Sequence, residues 1–127
     1  MAEFSAEDLD RIARTDEVQI ETSRDGGETR RTTIWIMVAD GNVYVRSVRG
    51  PDGQWYRSIS RSGRGRLIVD GTSWAISVQP VGDAAEIQRV SEAIRRKYEA
   101  RWAGPTAAML RPGVLGTTLR VQRADSA

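Results

Sequence analysis

Six segments of strand length, separated by turn residues, limit what this chain can fold into more than any other feature. They lie at 17–24, 29–39, 42–48, 66–70, 72–81 and 117–123. Most alternate apolar and polar residues, the period of a strand with one buried face. The pairs Asp40-Gly41 and Asp70-Gly71 predict tight hairpin turns, and glycines in 25–28 predict a third. The pattern therefore predicts an antiparallel, mostly β protein.

The second of these segments carries the strongest signal. Residues 34–39 read Ile-Trp-Ile-Met-Val-Ala and are apolar on both faces. A strand that is apolar on both faces is typical of the middle of a sheet. We therefore expect 29–39 to be one central strand, flanked by 17–24 and 42–48 in a three-stranded meander.

Three helices are predicted between and before the strands. The first begins after Ser5, a favourable N-cap residue, and belongs to an N-terminal helical segment over 1–16. The second spans 54–62, and the third spans 83–102 with one continuous apolar stripe. We expect the third helix to be structural, 103–116 to be mostly loop, and 124–127 to be a frayed tail.

These elements predict one domain over residues 1–127. A chain of 127 residues is long enough for one hydrophobic core and too short for two. The expected fold class is α+β, mostly β. Closing a sheet into a barrel removes its exposed edges, so a six-stranded antiparallel barrel with three flanking helices is favoured.

The absence of two residue types narrows the chemistry. The chain has no cysteine and no histidine, which excludes thiolate nucleophiles, the usual catalytic triads and the commonest metal ligands. We expect no metal site, and binding or cofactor-borne chemistry instead. No segment is apolar enough to span a membrane, and no secretory signal is seen, so a cytoplasmic protein is predicted.

The positive charge is concentrated. All but one of the 19 basic residues are arginines, a bias that a GC-rich genome would also produce. Segment 46–66 holds six arginines against one acid, Asp52. Such a field attracts anions, and arginine suits phosphate and carboxylate groups. A net charge of +2 disfavours nucleic acid as the partner.

Three groups of residues are candidates for a binding site. In the first, Arg31, Thr32 and Thr33 lie on the predicted strand 29–39 and offer donors to an anion. The alternative is a solvated strand end, with threonines present for their β propensity.

The second group is Arg46, Ser47, Arg49 and Gly50, where a predicted strand runs into a glycine. Two arginines, a serine and loop N–H groups at one strand end suit a phosphate. We predict that Arg46 and Arg49 lie at the same anion site. The alternative is a sheet edge protected by charge.

The third group is Trp55, Tyr56 and Arg57 at the start of the second predicted helix. The aromatic pair offers a face to a flat ring, with Arg57 beside it. Neighbours on a helix point in different directions, so one of the two rings is expected in the core.

In this order, the groups resemble an uncharacterised bacterial family of the flavin-binding split-barrel superfamily. That superfamily includes the pyridoxamine phosphate oxidases and the deazaflavin-dependent nitroreductases. The resemblance covers about residues 9–123 and rests on the segments 17–22, 31–35, 43–50 and 55–57. The asparagine-containing elements that follow the aromatic pair in deazaflavin reductases are replaced here by Ser58-Ile59 and Ser62-Gly63.

The resemblance implies a six-stranded split barrel that forms a homodimer with a cofactor at the subunit interface. It implies that the strand with Arg31, Thr32 and Thr33 binds the cofactor, and that the segment 47–50 approaches its phosphate. The helix beginning near Trp55 would line the same site.

The leading hypothesis is an oxidoreductase that uses flavin mononucleotide or the deazaflavin coenzyme on a small organic substrate. Tyr44, Tyr56 and Glu21 are the candidate proton-transfer residues. The alternative is a cofactor-free binding module, or a non-redox enzyme, that uses the same cleft for a small anionic or aromatic ligand.

Overall fold

The computed structural model describes residues 3–24 and 27–124, which form one curled antiparallel sheet with helices packed around it. Seven strands and five α-helices occur in these residues. The strands are β1 (Glu17–Ser23), β2 (Thr29–Trp35), β3 (Met37–Ala39), β4 (Asn42–Val45), β5 (Arg64–Val69), β6 (Thr72–Pro80) and β7 (Leu119–Arg123). The helices are α1 (Ala6–Arg14), α2 (Gln54–Ser62), α3 (Ala84–Tyr98), α4 (Ala103–Met109) and α5 (Pro112–Leu115), with a short 3₁₀ turn at Gly50–Asp52.

The strand order explains the curl. The sheet runs β2-β1-β5-β6-β7-β4-β3, and every neighbouring pair is antiparallel. Its two edge strands, β2 and β3, are consecutive in the chain and are separated only by Ile36. Because one residue joins opposite edges, the sheet has to curl into a half-barrel. The predicted α+β, mostly β class is confirmed.

The prediction that 29–39 is one central strand is wrong. It breaks at Ile36 into β2 and β3, the two edges, and the meander is absent since β2 pairs with β1 and β3 with β4. The Ile36 N–H donates to the Tyr98 hydroxyl at 3.2 Å, and Lys97 Nζ donates to the Ile36 carbonyl at 2.8 Å. These side chains replace the bonds that a neighbouring strand would have made.

The segment 34–39 is apolar on both faces because it lies between two cores, and not because it is central in the sheet. Ile34 and Ile36 point into the core inside the curled sheet, whereas Trp35, Met37 and Ala39 belong to a second core beneath α3. A layer of helix on the outer face thus produces the same apolar pattern as a central strand.

The segment 103–116 is not the predicted loop. It forms α4 and α5, and Pro105 and Pro112 lie in their first turns, where a missing N–H costs little. The count of seven strands and five helices therefore corrects the expected six and three. Boundaries also move: the third predicted strand ends at Val45, α3 ends at Tyr98, and β7 begins at Leu119.

Several local predictions are confirmed. Ser5 caps α1 in a capping box with Asp8, and Asp83 caps α3 by accepting from the Glu86 N–H at 2.9 Å. Both Asp-Gly hairpin turns form, with positive φ at each aspartate. Ala124, the first residue of the predicted frayed tail, is instead bonded to β6: its N–H donates to the Ala75 carbonyl at 2.8 Å. The remaining predicted tail residues, 125–127, and residues 25–26 of the first predicted turn lie outside the described residues.

No helix in the described part of the chain is long and apolar enough to cross a membrane. The cytoplasmic location stays a prediction. In the same residues no cluster of three or more carboxylate, histidine or cysteine side chains could hold a metal ion.

Candidate functional site

A large cavity, of about 830 Å³, opens where the curled sheet meets the helices. Its wall combines β2, the segment 46–49 after β4, the first turn of α2 and the segment 102–109. Four parts of the chain that are distant in sequence therefore meet at one place. A space of this size holds a cofactor or a small molecule.

Three tryptophans line this cavity: Trp35, Trp55 and Trp102. Trp35 stacks on Tyr98 with ring centroids 3.8 Å apart and planes within 6°, and Trp102 lies 6.1 Å from Trp35. The Tyr98 hydroxyl donates to the Asp16 carbonyl at 2.6 Å, so the stack is tied to the sheet. The cavity thus has a fixed aromatic wall.

A carboxylate and an arginine close the outer end of this wall. Arg101 makes two 2.7 Å hydrogen bonds to Asp16 and lies over the Trp102 ring, 4.4 Å from its centroid. The hydrogen bonds from Arg101 lower the pKa of Asp16. Both charges at this end are therefore already paired within the protein.

Arg30 and Arg49 are the two exposed cations that line the cavity. Neither has a carboxylate within 4.0 Å among residues 3–24 and 27–124. The hydroxyl-bearing Thr32 and Thr33 lie between Arg30 and the aromatic wall along β2. Unpaired guanidinium groups beside hydroxyl donors suit an anionic group of a ligand.

Arg46 has a different environment, although it also lines the cavity. It is 1% exposed, and its guanidinium donates to Thr118 Oγ1 at 2.8 Å and, at 3.1 Å each, to Ser91 Oγ, the Met109 carbonyl and the Ile87 carbonyl. Four of its five N–H groups are thus used by neutral acceptors. Burial lowers the pKa of Arg46 to about 10, which leaves it charged at neutral pH. Its contacts tie the segment after β4 to α3, to α4 and to Thr118, which directly precedes β7.

The loop after Arg46 is held closely by its own hydrogen bonds. Ser47 donates its N–H to Thr117 Oγ1 at 3.0 Å and its hydroxyl to the Gly50 carbonyl at 2.8 Å. A Cβ on Gly53 would come within 2.4 Å of Ser47 Oγ, so only glycine fits there. This packing presents Val48 and Arg49 to the cavity, and both are exposed.

The structure brings most of the predicted cofactor-binding residues to this cavity. Those that line it are Thr32, Thr33, Arg46, Ser47, Arg49 and Trp55. Gly50 is buried behind the loop, and Tyr56 packs against the core with its ring at right angles to Trp55. Neither lines a cavity described here.

Arg31 and Arg57 lie elsewhere. Arg31 faces the opposite side of β2 from Arg30 and donates to Glu21 Oε1, its cross-strand partner, at 3.0 Å. Arg57 lines a second cavity of about 440 Å³. Arg30 and Thr32 share one face of β2, whereas Arg31, Thr33 and Trp35 share the other. Because Thr33 and Trp35 also line the cavity, alternation alone does not decide which residues of β2 reach it.

The three candidate proton-transfer residues also lie outside the large cavity. Tyr44 is 2% exposed and donates to Glu86 Oε2 at 2.6 Å, and Arg120 binds the same oxygen. Burial, and then the contact with Glu86, raises the pKa of Tyr44. Hydrogen bonds from Arg120 and Tyr44 lower the pKa of Glu86. This network joins β4, β7 and α3 on the outer face of the sheet.

Two tryptophans that line the cavity, Trp35 and Trp102, are not among the residues predicted to bind the cofactor. Trp102 was assigned to the packing stripe of the third helix, but α3 ends at Tyr98 and Trp102 turns into the cavity wall. Trp35 was read as part of a central strand. No local signal marks either position, because both depend on how α3 crosses the break at Ile36.

The sequence and the fold of the chain can be compared with known proteins. A family model described as an uncharacterised protein conserved in bacteria (DUF2255) matches residues 8–121. No curated protein matches the chain.

Solved structures share the fold at low identity. A conserved hypothetical protein, Rv2991 from Mycobacterium tuberculosis, has a TM-score of 0.71 at 15% identity, covering 97% of this chain and 81% of that one. The heme storage protein HutZ from Vibrio cholerae has a TM-score of 0.66 at 9% identity, with coverage of 99% and 93%. An F420-H2-dependent reductase has a TM-score of 0.61 at 12% identity, with coverage of 84% and 93%.

Proposed function

This chain belongs to the uncharacterised bacterial family DUF2255, and we propose that it is an oxidoreductase that holds flavin mononucleotide or the deazaflavin coenzyme in the large cavity. Its substrate in this proposal is a small organic molecule. The similarity in fold to an F420-H2-dependent reductase supports the cofactor class.

The observation that carries the proposal is the pairing of an aromatic wall with unpaired arginines in one cavity. Trp35, Trp55 and Trp102 offer flat faces to a ring system. Arg30 and Arg49 offer guanidinium groups to a phosphate, and Thr32 and Thr33 offer hydroxyl groups to polar atoms. A ring that carries an anionic arm needs both kinds of surface side by side.

Heme, which the HutZ comparison raises, fits this cavity less well. Heme iron takes an axial ligand from histidine, cysteine, tyrosine or methionine. The chain has no histidine or cysteine, and none of its three tyrosines, Tyr44, Tyr56 and Tyr98, lines the cavity. Met109 is the one lining residue with a suitable ligand atom in the described residues. The donor set therefore favours a cofactor held by stacking and by its phosphate.

When bound, the cofactor supplies hydride transfer. The chain's own residues bind and orient it. Trp35, held by its stack on Tyr98, would pack against the ring, and Arg49 and Arg30 would bind the phosphate. Arg46 holds the loop that carries Arg49. No histidine or cysteine is present to act as a base near neutral pH. Proton transfer by Tyr44, Tyr56 or Glu21 stays a prediction. Each of these residues would have to be reached from outside the cavity wall.

Titration with flavin mononucleotide tests the proposal directly. We expect saturable binding that quenches tryptophan fluorescence, because three tryptophans line the cavity. Trp102→Leu should weaken binding, whereas Trp74→Phe is the matched control, since Trp74 is buried in the inner core and does not line the cavity. Mass spectrometry of molecules that co-purify identifies the native ligand. Absence of binding by both flavin mononucleotide and the deazaflavin coenzyme would contradict the proposal.

A cofactor-free binding module is the second candidate. The observation that favours it is that the titratable groups of the cavity are arginines and two acids, Asp16 and Glu17, with Asp16 already paired to Arg101. Such a lining suits recognition without proton transfer. Purified protein that binds a colourless aromatic anion at the Trp102 wall, and neither cofactor, would support this candidate.

We further propose that the protein is a homodimer with the cavity at or near the subunit interface. Val48 and Trp102, 46% and 38% exposed, are large apolar side chains at the cavity. Apolar groups exposed side by side around a cavity are typical of a surface that a partner covers. Light scattering should give twice the mass of one chain, and Val48→Asp should shift the mass toward that of the monomer. A monomer at all micromolar concentrations would contradict the proposal.

A further inference from the structure

A second cavity, of about 440 Å³, adjoins the first and is far more basic. The two share Arg30 and Gln54 in their walls. The tryptophans of the first cavity are absent from the lining of the second, which is wholly polar or charged. The two cavities therefore suit different chemistry: the first suits a ring with an anionic arm, and the second suits a small anion.

Two elements build the basic wall. On α2, Gln54, Arg57 and Ser58 are three and four residues apart, so they lie on one face of the helix. Trp55 and Ile59 lie on the opposite, buried face. This amphipathic pattern anchors the helix to the core and turns its polar face toward the second cavity.

The facing wall comes from the sheet. Arg30 on β2 pairs in register with Thr22 on β1, and both line the second cavity. Arg24 lines it as well, and Glu28 is the one acid among the described residues of its wall. Among the described residues, neither Arg30 nor Arg57 has a carboxylate within 4.0 Å. Arginines from two elements thus outnumber the acid in the described part of this wall.

We propose that this second cavity is a subsite for a phosphate or carboxylate group of a second small molecule, bound next to the ligand of the large cavity. The inference rests on the proposed function for the identity of its neighbour, since it makes the substrate an anionic compound. Arg57 and Ser58 would bind the anion from the helix, and Arg30 would contact both ligands.

Pyrophosphate is the probe that tests the subsite, by calorimetric titration at constant ionic strength. We expect one saturable site per chain. Arg57→Gln should weaken pyrophosphate binding about tenfold or more, the scale of one charge-assisted hydrogen bond. Arg96→Gln, an exposed position on α3 outside both cavities, makes the same change in net charge and should alter affinity less than twofold. Circular dichroism checks that each variant is folded.

Titration of protein already saturated with flavin mononucleotide separates a second molecule from a second group of the same ligand. We expect pyrophosphate to bind that complex with affinity within about threefold of the free protein. Arg30→Gln should weaken both ligands, and Arg57→Gln should weaken pyrophosphate more than flavin mononucleotide. Competition between the two ligands, equal effects of Arg57→Gln and Arg96→Gln, or no saturable pyrophosphate binding would overturn the subsite.

The two proposals fail separately. If flavin mononucleotide does not bind but pyrophosphate binding still depends on Arg57 and not on Arg96, the cofactor proposal fails and the anion subsite stands. If flavin mononucleotide binds and pyrophosphate does not, the anion subsite fails and the cofactor proposal stands.

Discussion

Arg46 and Arg49 lie three residues apart and line the same cavity, yet their environments are opposite. Arg46 is 1% exposed and makes four hydrogen bonds to neutral acceptors from α3, α4 and Thr118. Arg49 is exposed and has no carboxylate within reach in the described part of the chain. The first is positioned to hold the protein together, and the second to meet a ligand.

The difference shows that residue type and distance along the chain do not decide what an arginine does. A buried guanidinium needs nearly all its N–H groups satisfied, and helix ends and side-chain hydroxyls around Arg46 provide those acceptors. No such acceptors surround Arg49. The two arginines after β4 are therefore a buried cation that ties elements together and an exposed cation that is available to the proposed ligand.

Replacement of Arg46 should have the largest effect. Arg46→Met keeps much of the side-chain volume but leaves four acceptors without their donor, including the Met109 and Ile87 carbonyls. We expect the free energy of unfolding to fall by about 2–5 kcal/mol, since each buried group left unpaired costs about 1–3 kcal/mol and part of the charge burial is relieved. Urea denaturation measures it. Arg49→Met is the control and should change stability by less than about 0.5 kcal/mol. Equal stability of Arg46→Met and Arg49→Met would contradict the structural role of Arg46.

Replacement of Arg49 should act on binding alone. Arg49→Ala should weaken flavin mononucleotide binding by about 1.5–3 kcal/mol, the contribution of a hydrogen bond to a charged group. Calorimetric titration gives the affinity, and the denaturation midpoint should stay within error of the parent protein. Full affinity in Arg49→Ala would place the phosphate elsewhere in the cavity, with Arg30 as the remaining exposed candidate.

Lys97, a second largely buried cation, extends the comparison to pH. Its Nζ donates to the Ile12 and Ile36 carbonyls, and burial lowers its pKa from the usual 10.5 to about 8. The unfolded chain binds the Lys97 proton more tightly than the folded protein does. The stability that is present when Lys97 is neutral is therefore full above about pH 10.5, and it is lost as pH falls through about 8.

Unfolding free energy should therefore rise by about 1–2 kcal/mol between pH 7.5 and 9.5, less than the full pKa difference implies because solvent partly reaches the amine. The raised pKa values of Tyr44 and Tyr98 oppose this trend above about pH 10, so the window ends there. Lys97→Met should flatten the profile. A profile that rises equally in the variant would show that another group is responsible.

The elements that depend on neighbouring residues could be read from the sequence. Capping of α1 by Ser5, the span of α2, the Asp-Gly turns and the β-rich class all follow from interactions within a few residues. The same holds for a site near β2, the end of β4 and the start of α2, where Thr33, Arg49 and Trp55 were predicted and do line the cavity.

Contacts between distant segments decided the rest. Tyr98 and Lys97 bond to Ile36 from 62 and 61 residues away in the chain. The break in the strand at Ile36 makes one segment both edges of the sheet. The acceptors from Ile87, Ser91, Met109 and Thr118 make Arg46 structural, and the end of α3 turns Trp102 into the cavity. Periodicity and turn signals report only which residues can be buried or bent. Which acceptor or ring they meet is set by packing across the fold, because those partners come together only once the sheet has curled.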